Sequence, residues 1–203
     1  MVPLQYIAMA LGGVLFLGLF VYRAHLLRTE RTRRGRDRGP DLPAEEYPLL
    51  RRDFFETPAD QVESSASHGV YGVAMEIGFP PGVASVLAFA DGTASLILET
   101  GGGILLAGER ERVLVTARAV VDSAAEFAPH GVLIEGDPPL PRNREVRFHW
   151  LTEEGVRTGV ASAYELEAQA HDWSWLYRDG LRLLDEIREA FSSGISPDLA
   201  ERE

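Results

Sequence analysis

The first 22 residues differ from the rest of the chain because they carry no charged side chain. The stretch is apolar except for Gln5, and about 20 apolar residues in a helix span the roughly 30 Å hydrocarbon core of a bilayer. Arginines are concentrated directly after it, and such residues mark the side that stays in the cytoplasm. They are Arg23, Arg28, Arg31, Arg33, Arg34, Arg36 and Arg38. The pattern predicts a single-pass anchor at residues 1–22 in the inner (plasma) membrane, with the N-terminus outside and the C-terminal domain cytoplasmic.

Two other interpretations fit residues 1–22 less well. A secretory signal peptide carries basic residues before its apolar stretch and a small-residue cleavage site after it, and the sequence shows neither feature. A helix that packs on a protein core would show a polar stripe, whereas residues 1–22 are interrupted only by Gln5. We therefore expect the lipid bilayer to be one partner, with anionic headgroups binding the seven arginines.

Residues 23–48 are charged and interrupted by prolines, which predicts a juxtamembrane linker without a core of its own. A cytoplasmic domain is then expected from residue 49 to residue 203. It opens with an apolar cluster at near-helical spacing, formed by Leu49, Leu50, Phe54 and Phe55. This cluster predicts a short helix that docks on the domain.

Three strand-like runs follow, at residues 70–77, 83–90 and 93–100. Asp91-Gly92 between the second and third runs is a strong hairpin signal. A two-residue turn there would pair Phe89 with Ala94 and Leu87 with Leu96. One face of these strands would then be apolar, and the other would carry small side chains suited to a partner subunit or a helix. The candidate interface residues on that face are Gly72, Ala74, Ala84, Ala88 and Ser95.

The remaining pattern consists of a glycine-rich bend at residues 101–103, a helix over about 109–128, a second hairpin at 145–151 and 156–162, and a helix over about 173–191. The expected fold is therefore α+β. It contains a five-stranded, mostly antiparallel sheet with helices mainly on one face, preceded by a single N-terminal transmembrane helix.

Charge and composition exclude several functions. Residues 1–40 carry seven arginines and two acids, for a net charge of +5, whereas residues 41–203 carry thirteen arginines and 29 acids, for −16; the total is −11. An acidic domain of this kind binds nucleic acid poorly. The chain has no lysine and no cysteine, which excludes Schiff-base chemistry, a Walker-type phosphate loop, thiol catalysis and disulfides.

No catalytic residue, cofactor site or metal site is predicted. The Gly101–Gly103 run is followed by four apolar residues and an acidic helix start, so a sharp bend is favoured over a phosphate loop. The histidines show no metal-ligand spacing, and G-x-S-x-G does not occur. His149 alternates with the apolar residues of its strand and neighbours Arg147, which is typical of a solvated strand face.

Trp173 and Trp175 lie where the last helix is predicted to begin. Tryptophans at a helix start mostly pack against the core edge. The alternative is that one or both anchor a partner protein. Both residues are therefore candidate interface residues.

The stretch YGVAMEIGFPPGVASVLAFADGTASLILETGGGILLAGERE resembles bacterial α+β proteins that share its Asp-Gly hairpin, Gly-Gly-Gly bend and Gly-Glu helix start. This resemblance implies no activity. In topology, the expected sheet with flanking helices is similar to roadblock, longin and profilin-like domains. The similarity implies that dimerisation or binding of small GTPases is a role to consider, as in the first two groups.

We expect a membrane-tethered, non-enzymatic interaction or regulatory domain that binds a protein partner or a second copy of itself. A domain that senses a small molecule is the alternative. A hydrolase is less favoured, since it would need an acid/base pair built from His149, His171 and scattered carboxylates.

Overall fold

Alternating apolar residues build a sheet of seven strands in the computed structural model, which describes residues 42–62, 69–105 and 110–192. The strands are β1 (Val70–Phe79), β2 (Gly82–Phe89), β3 (Ala94–Leu98), β4 (Gly103–Ile104), β5 (Val132–Leu133), β6 (Glu145–Thr152) and β7 (Gly155–Ser162). Their spatial order is β4-β3-β2-β1-β6-β7-β5, and every pairing is antiparallel. β1 is therefore the central strand.

Four α-helices accompany the sheet in the described part of the chain. They are α1 (Tyr47–Phe55), α2 (Glu111–Ala125), α3 (Ala163–Glu167) and α4 (Ser174–Ser192). In α2 the apolar residues recur at helical spacing, and those that face inward are buried. Short 3-10 turns lie at Ala44–Glu46, Ala59–Gln61 and Ala128–His130.

The sheet is covered on both faces. On one face, which we call the long-helix face, Met75 and Val86 line a small space with Val120 of α2 and Leu183 of α4. On the opposite face, the α1 face, the ring of Phe54 of α1 packs at a tilt against the ring of Phe89 of β2. Residues paired across antiparallel strands share a face, so the strand pairings assign every position to one side or the other.

The expected five-stranded sheet with helices mainly on one face is wrong. The structure has seven strands, and α1 occupies the second face. The two strands that the pattern did not predict, β4 and β5, are each two residues long and too short to show alternation. The second face was expected to be open because its side chains were predicted to be small, and because His149 was predicted to be solvated.

The predicted hairpin register is also wrong. Ala88 pairs with Ala94, and Phe89 donates its N–H to the carbonyl of Thr93 at 2.9 Å. The loop therefore has three residues, with Gly92 in the left-handed region at φ 94°, a common three-residue hairpin geometry. The one-residue shift transfers the side chains of β3 between faces.

The predicted anchor at residues 1–22 and the seven arginines lie outside the described residues. Within the described ranges, no helix is both long and apolar enough to cross a membrane. Leu42 and Tyr47, which precede the predicted domain boundary at residue 49, are each only 2% exposed.

Candidate functional site

A carboxylate lies fully buried in the middle of the central strand. Glu76 has no exposed surface, although its neighbours along β1 are almost all apolar. Arg51 of α1 binds it with two nitrogens, Nε to Oε1 at 2.7 Å and Nη2 to Oε2 at 2.8 Å. Ser85 of β2 donates to Oε1 at 3.0 Å, and Nε2 of His149 in β6 lies 3.1 Å from Oε2. Three segments distant in sequence therefore meet at one acid.

The helix α1 places Arg51 over the sheet because Tyr47, Leu50, Arg51 and Phe54 fall on its buried side at helical spacing. The guanidinium also donates from Nη2 to the carbonyl of Pro138 at 2.9 Å. Its carbon lies 4.8 Å from the ring centroid of Phe55, a cation–π distance. Arg51 thus connects α1, β1 and the loop before β6.

Two further contacts fix α1 along its length. The Tyr47 hydroxyl lies 2.9 Å from Ser85 Oγ at the start of the helix. At its end, the ring of Phe55 meets His149 edge-on, with centroids 5.1 Å apart. The helix therefore crosses β2, β1 and β6 in one defined position.

Burial by itself would raise the pKa of Glu76, but the hydrogen bonds from Arg51 and His149 outweigh it and lower the pKa from 4.5 to about 2. Burial lowers the pKa of His149 below its ordinary 6.5, against the opposing influence of Glu76. At neutral pH, Glu76 is therefore ionised, Arg51 is charged and His149 is neutral. Since a carboxylate only accepts hydrogen bonds, His149 carries its hydrogen on Nε2.

The glycine-rich segment forms a sharp bend, as the sequence analysis predicted. Gly101 and Gly102 both have positive φ, at 91° and 89°, a conformation that glycine adopts without strain. The N–H of Gly102 donates to the carbonyl of Leu42 at 2.7 Å. The segment that leads into α1 is therefore hydrogen-bonded to the bend, and α1 itself is bound to Glu76 through Arg51.

The buried groups do not form a nucleophile triad. Ser85 and His149 both bind Glu76, whereas a triad needs the serine on the histidine. Glu76, Ser85 and His149 are each 0% exposed, so α1 closes them off from any substrate. No group of three potential metal ligands occurs among the described residues.

A cavity on the long-helix face is too small for a metabolite. It lies between the sheet and the helices, lined by apolar side chains such as Met75, Phe148 and Leu176, and measures about 10 Å³. That volume is about the minimum for one water molecule.

The structure separates the five small residues predicted to form one interface. Gly72, Ala74 and Ser95 lie on the α1 face, whereas Ala84 and Ala88 lie on the long-helix face. All five are buried. None of them offers a surface to a second subunit in this arrangement.

The two tryptophans have different environments. Trp173 is 8% exposed and packs edge-on against Phe148 and Trp150. It fills the space over Gly159, where an added Cβ would overlap the indole ring. Trp175 is 65% exposed and carries the guanidinium of Arg178 at 4.4 Å from its ring centroid. Trp173 is thus a core residue, and Trp175 lies at the surface.

The two histidines considered for an acid/base pair lie on opposite faces. His149 is on the α1 face and fully buried, so the expectation of a solvated side chain is wrong. His171 accepts the N–H of Trp173 at its Nδ1, 3.1 Å away, beside the long-helix face.

Sequence reasoning missed the Glu76–Arg51 pair, although a signal existed. Glu76 is the single charge in the strand run 70–77, and Arg51 interrupts the apolar stripe of α1 between Leu50 and Phe54. A single acid in an apolar strand and a single arginine in the apolar stripe of a helix together predict a buried ion pair between the two elements.

Comparison of the chain with protein-family models, with curated proteins and with solved structures gives no match. The similarity in topology to roadblock and longin domains therefore stays a prediction.

Proposed function

We propose that this chain is a membrane-attached, non-enzymatic interaction or regulatory domain. The observation that carries the proposal is the buried attachment of α1, the helix that follows the arginine-rich segment. Arg51 binds Glu76 bidentately, and Leu42 binds Gly102, so the chain enters the domain at a fixed place. A fixed point of entry is what we expect of a domain whose preceding segment is held at a membrane.

The sealed polar groups support an interaction role over an enzymatic one. Glu76, Ser85 and His149 have the chemistry of an active site, but they have no exposed surface. Large apolar side chains are exposed elsewhere, notably Val132 at 68%, Val160 at 46% and Trp175 at 65%. Exposed apolar side chains of this size commonly mark sites of protein contact when they form a patch.

The proposal includes attachment through residues 1–22 to the inner membrane, with the acidic domain in the cytoplasm. Cell fractionation of the full chain tests it. We expect the chain in the membrane fraction after alkaline carbonate washing, and its removal from that fraction when residues 1–22 are deleted.

The interaction role is tested by solubilising these membranes in mild detergent and measuring the mass of the complex. A complex heavier than the detergent-bound chain, present with wild-type protein, supports the proposal. A strictly monomeric chain from membranes, without a partner under cross-linking, contradicts it.

A further inference from the structure

The described chain enters the domain at one end of the sheet. β1 ends and β2 begins at this end, where Phe79 pairs with Gly82. The carbonyl of Leu42, the first described residue, accepts the N–H of Gly102 in the bend that follows β3 at the same end. β6 begins and β7 ends there as well. We call this end of the sheet the entry end and the opposite one the far end.

The two ends differ in charge. The segments at the entry end carry two arginines and three acids; they are residues 42–46, 79–82, 99–102 and 141–144. The segments at the far end carry five acids and no arginine; they are residues 56–61, 90–93 and 152–155. An anionic bilayer surface therefore repels the far end more strongly than the entry end.

The two arginines of the entry end face solvent beside exposed aromatic side chains. Arg142 and Arg144 are exposed, and neither guanidinium forms an ion pair within the described part of the chain. Phe79 is 38% exposed and Tyr164 is 76% exposed. The N–H of Ala163 donates to the carbonyl of Arg144 at 2.9 Å, which places the start of α3 beside the arginines. Tyrosine is enriched at the level of lipid headgroups, and arginine binds their phosphates.

The segment that carries the arginines is fixed to the sheet. The N–H of Arg144 donates to the carbonyl of Gly78 at 2.9 Å, and the N–H of Glu145 donates to the carbonyl of Arg142 at 3.0 Å. Gly78 also packs so closely on Arg142 that an added Cβ would overlap its carbonyl. A surface held in this way loses little conformational freedom when it binds.

Chain length decides which end can face the bilayer. In the proposed arrangement residues 23–38 bind the headgroups, and Arg38 precedes Leu42 by only four residues. Four residues span at most about 14 Å. β1, with ten residues, is about 33 Å long. With the far end against the bilayer, Leu42 would lie roughly that distance away, which is more than the connection can span.

We infer that the entry end of the domain lies against an anionic bilayer surface, with Arg142 and Arg144 on lipid phosphates and with Phe79 and Tyr164 at the level of the headgroups. The inference rests on the proposed membrane attachment and specifies which surface of the domain faces the lipid. The surfaces that bind a protein partner are then those that point away from the entry end.

The test uses the full chain reconstituted into vesicles of phosphatidylcholine and phosphatidylglycerol, in which some headgroups carry a nitroxide. Because the chain has no cysteine, Asn143→Cys at the entry end and Glu153→Cys at the far end each accept a fluorescent label at a single site. Both positions are exposed. We expect the nitroxide to quench the label at position 143 at least about threefold more strongly than the label at position 153.

Two variants of the Asn143→Cys chain test the role of charge. Arg142→Gln/Arg144→Asn removes both charges, and asparagine tolerates the left-handed backbone at residue 144, where φ is 63°. We expect quenching at position 143 to fall below about half of its original value, both in this variant and when phosphatidylcholine replaces phosphatidylglycerol. Arg142→Lys/Arg144→Lys keeps both charges and should leave the quenching nearly unchanged.

Three outcomes overturn the inference: equal quenching at positions 143 and 153, quenching at position 143 that survives removal of both arginines, or quenching there that survives removal of the anionic lipid. Flotation of the vesicles in a density gradient separates the two proposals. A chain that floats with the vesicles but gives one of these outcomes refutes only the orientation of the domain, whereas a chain that does not float refutes the membrane attachment too. Unchanged urea midpoints for the arginine variants exclude misfolding as the cause.

Discussion

Both faces of the sheet contain fully buried side chains, but different interactions hold the helices on each face. On the long-helix face, Phe148 and Trp150 are 0% exposed among apolar neighbours, and stabilisation comes from apolar area. On the α1 face, Glu76, Ser85 and His149 are also 0% exposed, yet they form directional bonds. Apolar packing tolerates small shifts of a helix, whereas a bidentate ion pair accepts one position.

The difference teaches that burial and stability are separate quantities here. Desolvating Glu76 and Arg51 costs free energy that their attraction only offsets, so the pair adds little net stability. What it adds is specificity, because α1 in any other register would leave two buried charges without partners. We therefore attribute the position of α1 to the pair and the stability of the sheet to the opposite face.

The largest effect is expected from Glu76→Leu. The change leaves Arg51 charged and buried without its partner, which costs about 3–5 kcal/mol of the free energy of unfolding. The neighbouring Met75→Leu, on the long-helix face, is the matched control and should cost less than about 1.5 kcal/mol. Urea unfolding of the full chain in mild detergent measures both, and tryptophan fluorescence reports only the domain because Trp150, Trp173 and Trp175 all lie in it. Equal losses for the two variants would contradict the contrast between the faces.

Removing both buried charges should restore much of the free energy of unfolding that Glu76→Leu loses. In the double variant Arg51→Met/Glu76→Leu no buried charge remains, and apolar replacement of a buried ion pair is often neutral. We expect the double variant to be more stable than Glu76→Leu by at least about 2 kcal/mol in the same urea experiment. Losses that simply add would mean that the pair does not interact as the geometry requires.

Much of the fold was predictable from the sequence, and the missing parts have physical reasons. The strands around Asp91-Gly92, the second hairpin, the docking helix and the glycine bend follow from local patterns, and the structure contains each of them. The two-residue strands β4 and β5 depend on tertiary pairing, which no local pattern encodes. The covered α1 face was misjudged because His149 was expected to be solvated. The burial of Glu76 and His149 is tolerable only because Arg51 and His149 both bind the Glu76 carboxylate.

The α1 face should also make stability depend on pH. His149 is neutral when folded, with a pKa lowered from 6.5 by burial, so the unfolded chain binds more protons below pH 6.5 and stability falls with decreasing pH. A second loss follows below pH 4.5, since the pKa of Glu76 is lowered from 4.5 to about 2. That difference in pKa corresponds to at most roughly 3–4 kcal/mol of the free energy of unfolding, at about 1.4 kcal/mol per pKa unit. Urea midpoints from pH 7 to pH 3 measure both stages.

The variant Arg51→Met/Glu76→Leu is the control for this pH series. It lacks the acid, so the stage below pH 4.5 should shrink relative to wild type, whereas Met75→Leu should keep both stages. An unchanged acid stage in the double variant would assign the pH dependence to other carboxylates.

The smallest effect is expected from Tyr47→Phe. The hydroxyl of Ser85 donates to Glu76, which can only accept, so the Tyr47 hydroxyl is the donor to Ser85 Oγ. The change removes one neutral hydrogen bond and leaves Glu76 with its arginine, so the expected loss is about 1 kcal/mol. Tyr164→Phe, at a side chain that is 76% exposed, should stay within about 0.5 kcal/mol of wild type. A loss for Tyr47→Phe as large as that of Glu76→Leu would show that hydroxyl bonding, and not the ion pair, determines the position of α1.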